Sequence, residues 1–362
     1  MINRSSQAAV RLFAVVVIYK LRPLESSTLQ TLLDAVGQIS PAELELGILL
    51  WDNTPGGQDP GEVPACVRYE AAPENPGLAR AYNQALETAS AEGYDWLLTL
   101  DQDSGLPTNF LVRIAQLARQ LEFRPEIGAI VPQVTGDGHN ISPFYFALGA
   151  VPRWFRYGVA GIPERATYAV NSAATLRVNA LRSVGGYDPM FPLDVSDINL
   201  FHRLHRSGKR IFLAGDLLVS HDFSLLKKHG RMSTERYRAM LLDECAFWDM
   251  NMSPLARLER MIRLAGRICK DLLIPENRAF QRLTLTELKR RLLTPRHQRI
   301  VEWTNWATER RMSSAEVSVG QISLAPETPP LRGSSLETVK RSGELETEST
   351  AGDSASYLAE VE

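Results

Sequence analysis

Between residues 12 and 135 the chain alternates two hydrophobic rhythms. Continuous apolar runs, FAVVVIY (13–19), LGILLWD (46–52), ACVRYEA (65–71), DWLLTLD (95–101) and IGAIVPQV (127–134), are separated by stretches with apolar residues three and four apart. The runs predict strands buried on both faces, because a strand wet on one face would alternate apolar with polar. The spaced stretches, near 24–38, 76–93 and 109–122, predict helices. Pro76 near the start of the second and Gly93 beyond its end are the usual start and stop signals. Strands and helices in this alternation imply an α/β fold with a mostly parallel sheet covered on both faces. In such sheets ligands bind beyond the carboxyl ends of the strands. Asp52, Asp101 and the loop around Asn75 all fall there.

From 140 to about 222 the pattern is less regular, with a helix predicted from Ser196 to Ser207, stopping at Gly208, and an apolar strand AGDLLVSH (214–221). Residues 224–310 read as mostly helical. Within 253–273, Leu255, Leu258, Met261, Ile262, Ala265, Ile268, Leu272 and Leu273 form one stripe, bordered by Arg257, Arg260, Arg263, Arg267 and Lys270. From about 313, Ser, Glu, Thr, Gly and Pro leave too little apolar surface for a core, which predicts disorder. The expected organisation is an N-terminal arm (1–11), an α/β domain (12–222), a helical region (223–312) and an acidic Ser/Thr-rich tail (313–362).

Composition changes this picture mainly through charge. The 362 residues carry a formal net charge of −2, which excludes a general nucleic-acid coat. The charge is uneven: over 253–300 twelve Lys/Arg face four Asp/Glu (+8), whereas 313–362 holds nine acids and three bases (−6). A basic amphipathic stretch suits an anionic membrane surface, an oligomer interface, or a packed helix with a solvated rim. Cys66, Cys245 and Cys269, odd in number and far apart, suit a reducing compartment. The N-terminal apolar stretch of about eight residues, broken by Arg11, is too short to span a membrane and fits a signal peptide poorly. A cytoplasmic protein is expected.

The candidate chemistry begins with DQDSGLP (101–107). Like charges as close as Asp101 and Asp103 raise each other's pKa unless water or a cation neutralises them. On an extended strand end, side chains at i and i+2 point the same way, so both could face one hard divalent ion. Such an ion takes few carboxylates and adds phosphate oxygens. Alone, the pair reads equally as a strand running into the turn Gly105-Leu106-Pro107. An apolar strand followed by DxDx[ST] also resembles the nucleophile loop of haloacid-dehalogenase-type phosphatases. There the motif opens the domain, whereas here it follows the fourth run. Two other strand ends add to it: LLWDNTPGG, and ENPGLARAYNQAL, where a glycine at a helix start would let a diphosphate approach.

Taken in order, FAVVVIYK, WDNTPGG, ENPGLARAYNQAL, LLTLDQDS, GGYDPMF and DVSDINLFHRLHRSGKRI resemble family 2 glycosyltransferases, more narrowly the bacterial rhamnosyltransferase branch. The resemblance spans roughly 12–222, with a looser echo to about 300. It implies the GT-A nucleotide-diphospho-sugar transferase fold, a mostly parallel Rossmann-like sheet flanked by helices, with a helical C-terminal extension. It further implies that Asp52 accepts a hydrogen bond from the N3–H of a pyrimidine. Asn75, Gly77 and Asn83 would form the nucleotide-binding loop and helix start. Asp101 would meet the ribose and metal side, and Asp103 would bind Mg²⁺ or Mn²⁺ at the diphosphate. Many GT-A enzymes end a strand like 214–221 with a metal-completing histidine, here His221; a lone His is otherwise an ordinary core or surface residue.

The family pattern acid–x–x–Asp–x–acid–x–x–x–Arg–x–x–x–x–Gly aligns with Asp194, Asp197, Arg203 and Gly208, making Asp197 the general base. Asn199 stands where the family usually has Glu, which keeps hydrogen bonding but removes charge and leaves an acceptor-orienting role open. Apart from the resemblance, Asp194 and Asp197 suit helix capping and first-turn dipole stabilisation. Asp188 in GGYDPMF is placed by the resemblance on the acceptor side, and Gly185-Gly186 suggest a tight turn nearby. Trp51 and Trp154 could stack on sugar or base, Trp51 fitting the core better.

The expected activity is inverting, metal-dependent transfer of a sugar, L-rhamnose from dTDP-L-rhamnose by resemblance, to a hydroxyl of a polysaccharide or lipid-linked glycan. Two alternatives stay open: a UDP- or GDP-sugar donor, or a catalytically silent GT-A module that binds glycan. Peripheral contact with the cytoplasmic membrane face through the basic helices, and a homo-oligomer, are further expectations.

Overall fold

The computed structural model describes residues 8–147, 150–221 and 232–322, with side chains as far as 311. Most of the predicted tail, residues 1–7 of the arm and the junction at 222–231 lie outside the described residues. The apolar runs become β1 (Val10–Ile18), β2 (Leu44–Asp52), β3 (Val67–Ala71), β4 (Trp96–Asp101) and β6 (Ile127–Gly136). With β5 (Ser104–Gly105), β7 (His139–Ser142), β10 (Ala174–Arg177) and β11 (Arg210–His221) they form one nine-stranded sheet. Its order is β3-β2-β1-β4-β10-β6-β11-β5, with β7 paired to β6.

The sheet is mixed. Strands β3, β2, β1 and β4 run parallel, as do β6 and β11, but β10 is antiparallel to both β4 and β6. Side chains of β1 divide by parity. Leu12, Ala14, Val16 and Ile18 enter one buried layer with α1 (Ser27–Val36) and α3 (Phe110–Gln120). Phe13, Val15 and Val17 enter the other with α2 (Leu78–Ala91), α4 (Val178–Ser183) and α5 (Ser196–Arg206). Two covered faces explain why the run is continuously apolar. The strand begins at Val10, inside the expected arm, because Arg11 pairs with Glu45 at 2.7 Å and donates to the Gly93 carbonyl.

A separate hairpin, β8 (Phe144–Ala147) and β9 (Val151–Trp154), leads toward the helical region of α6 (Thr234–Asn251), α7 (Pro254–Leu272), α8 (Arg278–Leu293) and α9 (Arg296–Ile322). Ser233 and Ser253 cap α6 and α7 by accepting the amides of Arg236 and Ala256. Trp303 of α9 stacks on Phe191 at 4.9 Å, joining this region to the α/β layers. Buried Asp249 of α6 accepts from Arg291 and Arg299 at 2.7 and 2.8 Å, fastening α8 and α9. Such a charge is tolerated only because guanidinium groups surround it.

Helix α7 is turned against its own pattern. Its leucine stripe faces outward, with Leu255, Leu258 and Ile262 more than half exposed, while Arg260 and Leu264 face in. The cause is Glu244 of α6, which forms ion pairs with Arg260 and Arg267. No helix among the described residues is long and apolar enough to cross a membrane.

Candidate active site

Strand β1 lies between two carboxylates. Its Ile18 is in register with Asp52 of β2, and its Val17 with Asp101 of β4, so both acids leave the same carboxyl edge of the sheet. Asp52 is buried: Oδ1 accepts the Thr54 amide at 2.9 Å, and Oδ2 accepts Gln58 Nε2 at 2.8 Å and Tyr69 OH at 2.6 Å. Burial, reinforced by the Asp52 bond and charge, holds the Tyr69 hydroxyl far above its ordinary pKa, so it remains a donor. Asn75 adopts φ 48° in a turn closed by its amide on the Ala72 carbonyl. Gly77 precedes α2 at φ 86°, and a Cβ there would lie 2.6 Å from the Pro192 oxygen. That oxygen also accepts the Ala79 amide at 3.1 Å, taking one donor of the α2 start. Asn83 is occupied as well: its amide bonds both the N–H and C=O of Tyr187, at 2.7 and 2.8 Å.

The Asp-Gln-Asp stretch is not an extended end. Strand β4 stops at Asp101, the chain turns through Gln102–Asp103, and β5 pairs antiparallel with β11. Gln102 forces the turn, since its side chain accepts the Tyr19 amide at 2.7 Å and its carbonyl accepts Ser26 Oγ at 2.8 Å. The two acids consequently have different partners. Asp101 accepts from Tyr82 OH at 2.9 Å and from Ser172 Oγ. Asp103 is buried beside His221, whose Nδ1 lies 3.6 Å from Asp103 Oδ1 and 3.4 Å from Ser104 Oγ. Antiparallel pairing of His221 with Ser104 is what brings this histidine to Asp103.

No cluster of three or more His, Cys, Asp or Glu side chains suited to a metal occurs among the described residues. Among the described residues, Asp103 and His221 supply one oxygen and one nitrogen ligand. An ion with bonds of about 2.0–2.2 Å could touch both atoms. Two protein ligands leave positions for phosphate oxygens and water, the usual mode of Mg²⁺ and Mn²⁺ at nucleotides. The residues therefore fit such an ion.

On the other rim, Val195 takes the left-handed conformation at φ 62°, a strained geometry for a β-branched residue, and α5 begins immediately after it. Asp197, in the first turn, accepts the Ile198 amide at 2.7 Å. Burial pushes its carboxyl up to about 7, and the charges of Asp101 and Asp194 act in the same direction. A carboxylate poised there can take a proton near neutral pH. Asp194 is clamped by both terminal nitrogens of Arg236, one bond measuring 2.7 Å. Asn199 accepts Arg203 Nε at 2.7 Å, and Arg203 also binds the carbonyls of Val184 and Gly186, pinning the double-glycine turn. Asp188 accepts the Met190 amide at 3.0 Å. Trp51 is buried and donates to Asn53, and Trp154 donates to the Ile141 carbonyl, so both indoles serve packing.

The structure thus brings together Asp103 with His221, and Asp101 with Asp197 through its charge, while Asn83, Asp194 and Asn199 are engaged as struts. Tyr69, Gln58, Tyr82, Ser172 and Arg236 were not singled out by sequence reasoning. Only Tyr82, one residue before Asn83, and Ser172, in the small-residue stretch NSAA (171–174), carried a local signal.

No protein-family model matches the chain, and no curated protein does. Among solved structures it is similar to the crystal structure of GalNAc-T7 with UDP, GalNAc and Mn²⁺, at 12% identity and a TM-score of 0.47, covering 67% of this chain and 49% of that one. It is also similar to residues 1-349 of S. aureus TarS, at 11% identity and a TM-score of 0.42, covering 83% and 91%. The chain spans about half the length of GalNAc-T7.

Proposed function

We propose that the protein is a metal-dependent, inverting glycosyltransferase of the GT-A type. The observation that carries this reading is the gathering of Asp52, Asp101 and the Asp103–His221 pair along one carboxyl edge, with Asp197 electrostatically coupled to it. An ionised carboxylate offers about four acceptor sites. Three on Asp52 are taken by Thr54, Gln58 and Tyr69, leaving one for the N3–H of a pyrimidine. Tyr82 and Ser172 hold Asp101 at the ribose side. Asp103 and His221 would hold Mg²⁺ or Mn²⁺, which when bound supplies positive charge to the departing diphosphate.

Asp197 takes the proton of the acceptor hydroxyl. The hydroxyl oxygen forms the new bond to the anomeric carbon as the bond to the diphosphate breaks on the opposite face, inverting the centre. Asp188 shapes the acceptor rim, and Asp194 and Asn199 anchor it through Arg236 and Arg203. The donor proposed is dTDP-L-rhamnose, on the resemblance of the motif series, and the acceptor a glycan or lipid-linked glycan. The outward leucine row of α7, within a segment of net +8, suits work at the anionic cytoplasmic face of a membrane.

A panel of dTDP-, UDP- and GDP-sugars, with Mn²⁺ or EDTA, tests the reading by release of nucleoside diphosphate and by thermal shift. Metal-dependent release with dTDP-rhamnose is expected from the wild type. Absence of both release and thermal shift with every donor would refute it.

A further inference from the structure

A small open cleft lies between the first turn of α5, the β8–β9 hairpin and helices α6 and α7. One wall is apolar and includes Ile198, Phe146 and Trp248. The other carries Arg260, Arg263 and Arg267, which the spacing i, i+3, i+7 brings onto one side of α7. Glu244 is the single acid among the described lining residues, and its two oxygens pair with Arg260 and Arg267. Arg263, half-buried, makes no hydrogen bond or ion pair among the described residues, and Glu259, one turn before it, lies beyond ion-pair distance. Arg260 is only 5% exposed, yet its Nε has no hydrogen-bond partner among the described residues.

Arg263 and the Arg260 Nε thus present donors without partners among the described residues, beside Glu259, one of whose carboxylate oxygens is likewise buried and unpartnered. Burying cationic donors without partners is costly, and a planar guanidinium matches phosphate oxygens in pairs. The recess also adjoins Ile198, the residue following Asp197.

We infer that this cleft receives a phosphate group carried by the acceptor, bound by Arg263 together with Arg260 and Arg267 and flanked by the apolar wall. The inference rests on the transferase reading for the word acceptor; the anion site itself rests on the arginines. Two sources share this chemistry: the phosphate of a prenyl carrier, whose chain would follow the apolar wall, and a phosphorylated sugar.

Isothermal titration of the full chain, in EDTA and without nucleotide, with farnesyl monophosphate, glucose 1-phosphate and farnesol separates these cases. Wild type is expected to bind at least one phosphate and to bind farnesol far more weakly. Arg263→Gln should weaken phosphate binding by about tenfold or more, the value of a charged hydrogen bond in a shielded site. Tighter binding of the farnesyl ester identifies a lipid carrier, and tighter binding of the sugar ester a phosphorylated sugar. No phosphate binding by wild type, farnesol binding as tight as its phosphate, or unchanged affinity in Arg263→Gln overturns the inference. Hydrogen–deuterium exchange on wild type with the tighter phosphate localises the site whether or not the variant folds. Protection within 244–267 is expected, and protection only elsewhere overturns it. Failure of the transferase reading appears separately, as absent nucleoside diphosphate release, which these titrations do not involve.

Discussion

Replacing Asp197 with Asn removes a carboxyl that the fold prefers to keep protonated, so stability and activity should move in opposite directions. Burial holds Asp197 at about 7 against an ordinary 3.8. That gap corresponds to about 4 kcal/mol, at roughly 1.4 kcal/mol per tenfold change. Since the residue keeps some contact with solvent, an effect of about 2–4 kcal/mol is expected. The folded state binds the proton more tightly than the unfolded chain, so the contribution is complete below about pH 4 and is lost as pH rises to about 7. Asparagine has no such dependence and can still accept the Ile198 amide that Asp197 accepts at 2.7 Å. Urea unfolding of both proteins from pH 4 to 8.5 should show little difference at the acid end and a more stable variant above pH 7. Transfer should rise with pH through about 7 in the wild type and fall by about 10²–10⁴ in the variant. A stability difference of equal size at pH 4 and pH 8, or a variant less stable at pH 8, would refute the argument.

Asp103→Ala and His221→Ala should each abolish Mn²⁺-dependent transfer and the thermal shift produced by Mn²⁺ with nucleotide, with only a small change in metal-free melting; a retained shift would remove the pair from the metal site. Asp249→Ala strands Arg291 and Arg299 without their shared carboxylate and should cost about 3–5 kcal/mol in chemical unfolding. Gly77→Ala places a methyl against the Pro192 oxygen at positive φ. It should cost about 1–3 kcal/mol and raise the KM for the donor, read by unfolding and by steady-state kinetics.

The sheet was legible where both faces of a strand are covered, because double burial writes a continuous apolar run, as in 13–19 and 95–101. Strand β10 escaped because four residues, ATLR, carry no rhythm of their own and are held by β4 and β6 on either side. The carboxylates at the strand ends were visible as residue types, but their partners were not. Tyr69 and Gln58 meet Asp52 through chain closure, and Arg236 reaches Asp194 from a helix 42 residues on. The amphipathic stripe of 253–273 is plain in the periodicity, yet periodicity cannot say which side is covered. That was decided by Glu244, which draws Arg260 and Arg267 inward and leaves Leu258 and Ile262 outside.

Two stitches described above, Asn83 on Tyr187 and the Pro192 carbonyl at Gly77 and Ala79, tie the start of α2 to the segment 187–192. The α2 start and the segment 187–192 are therefore not interchangeable modules. A chimera that imports a foreign 75–83 loop would inherit a mismatched seam unless 187–192 travels with it.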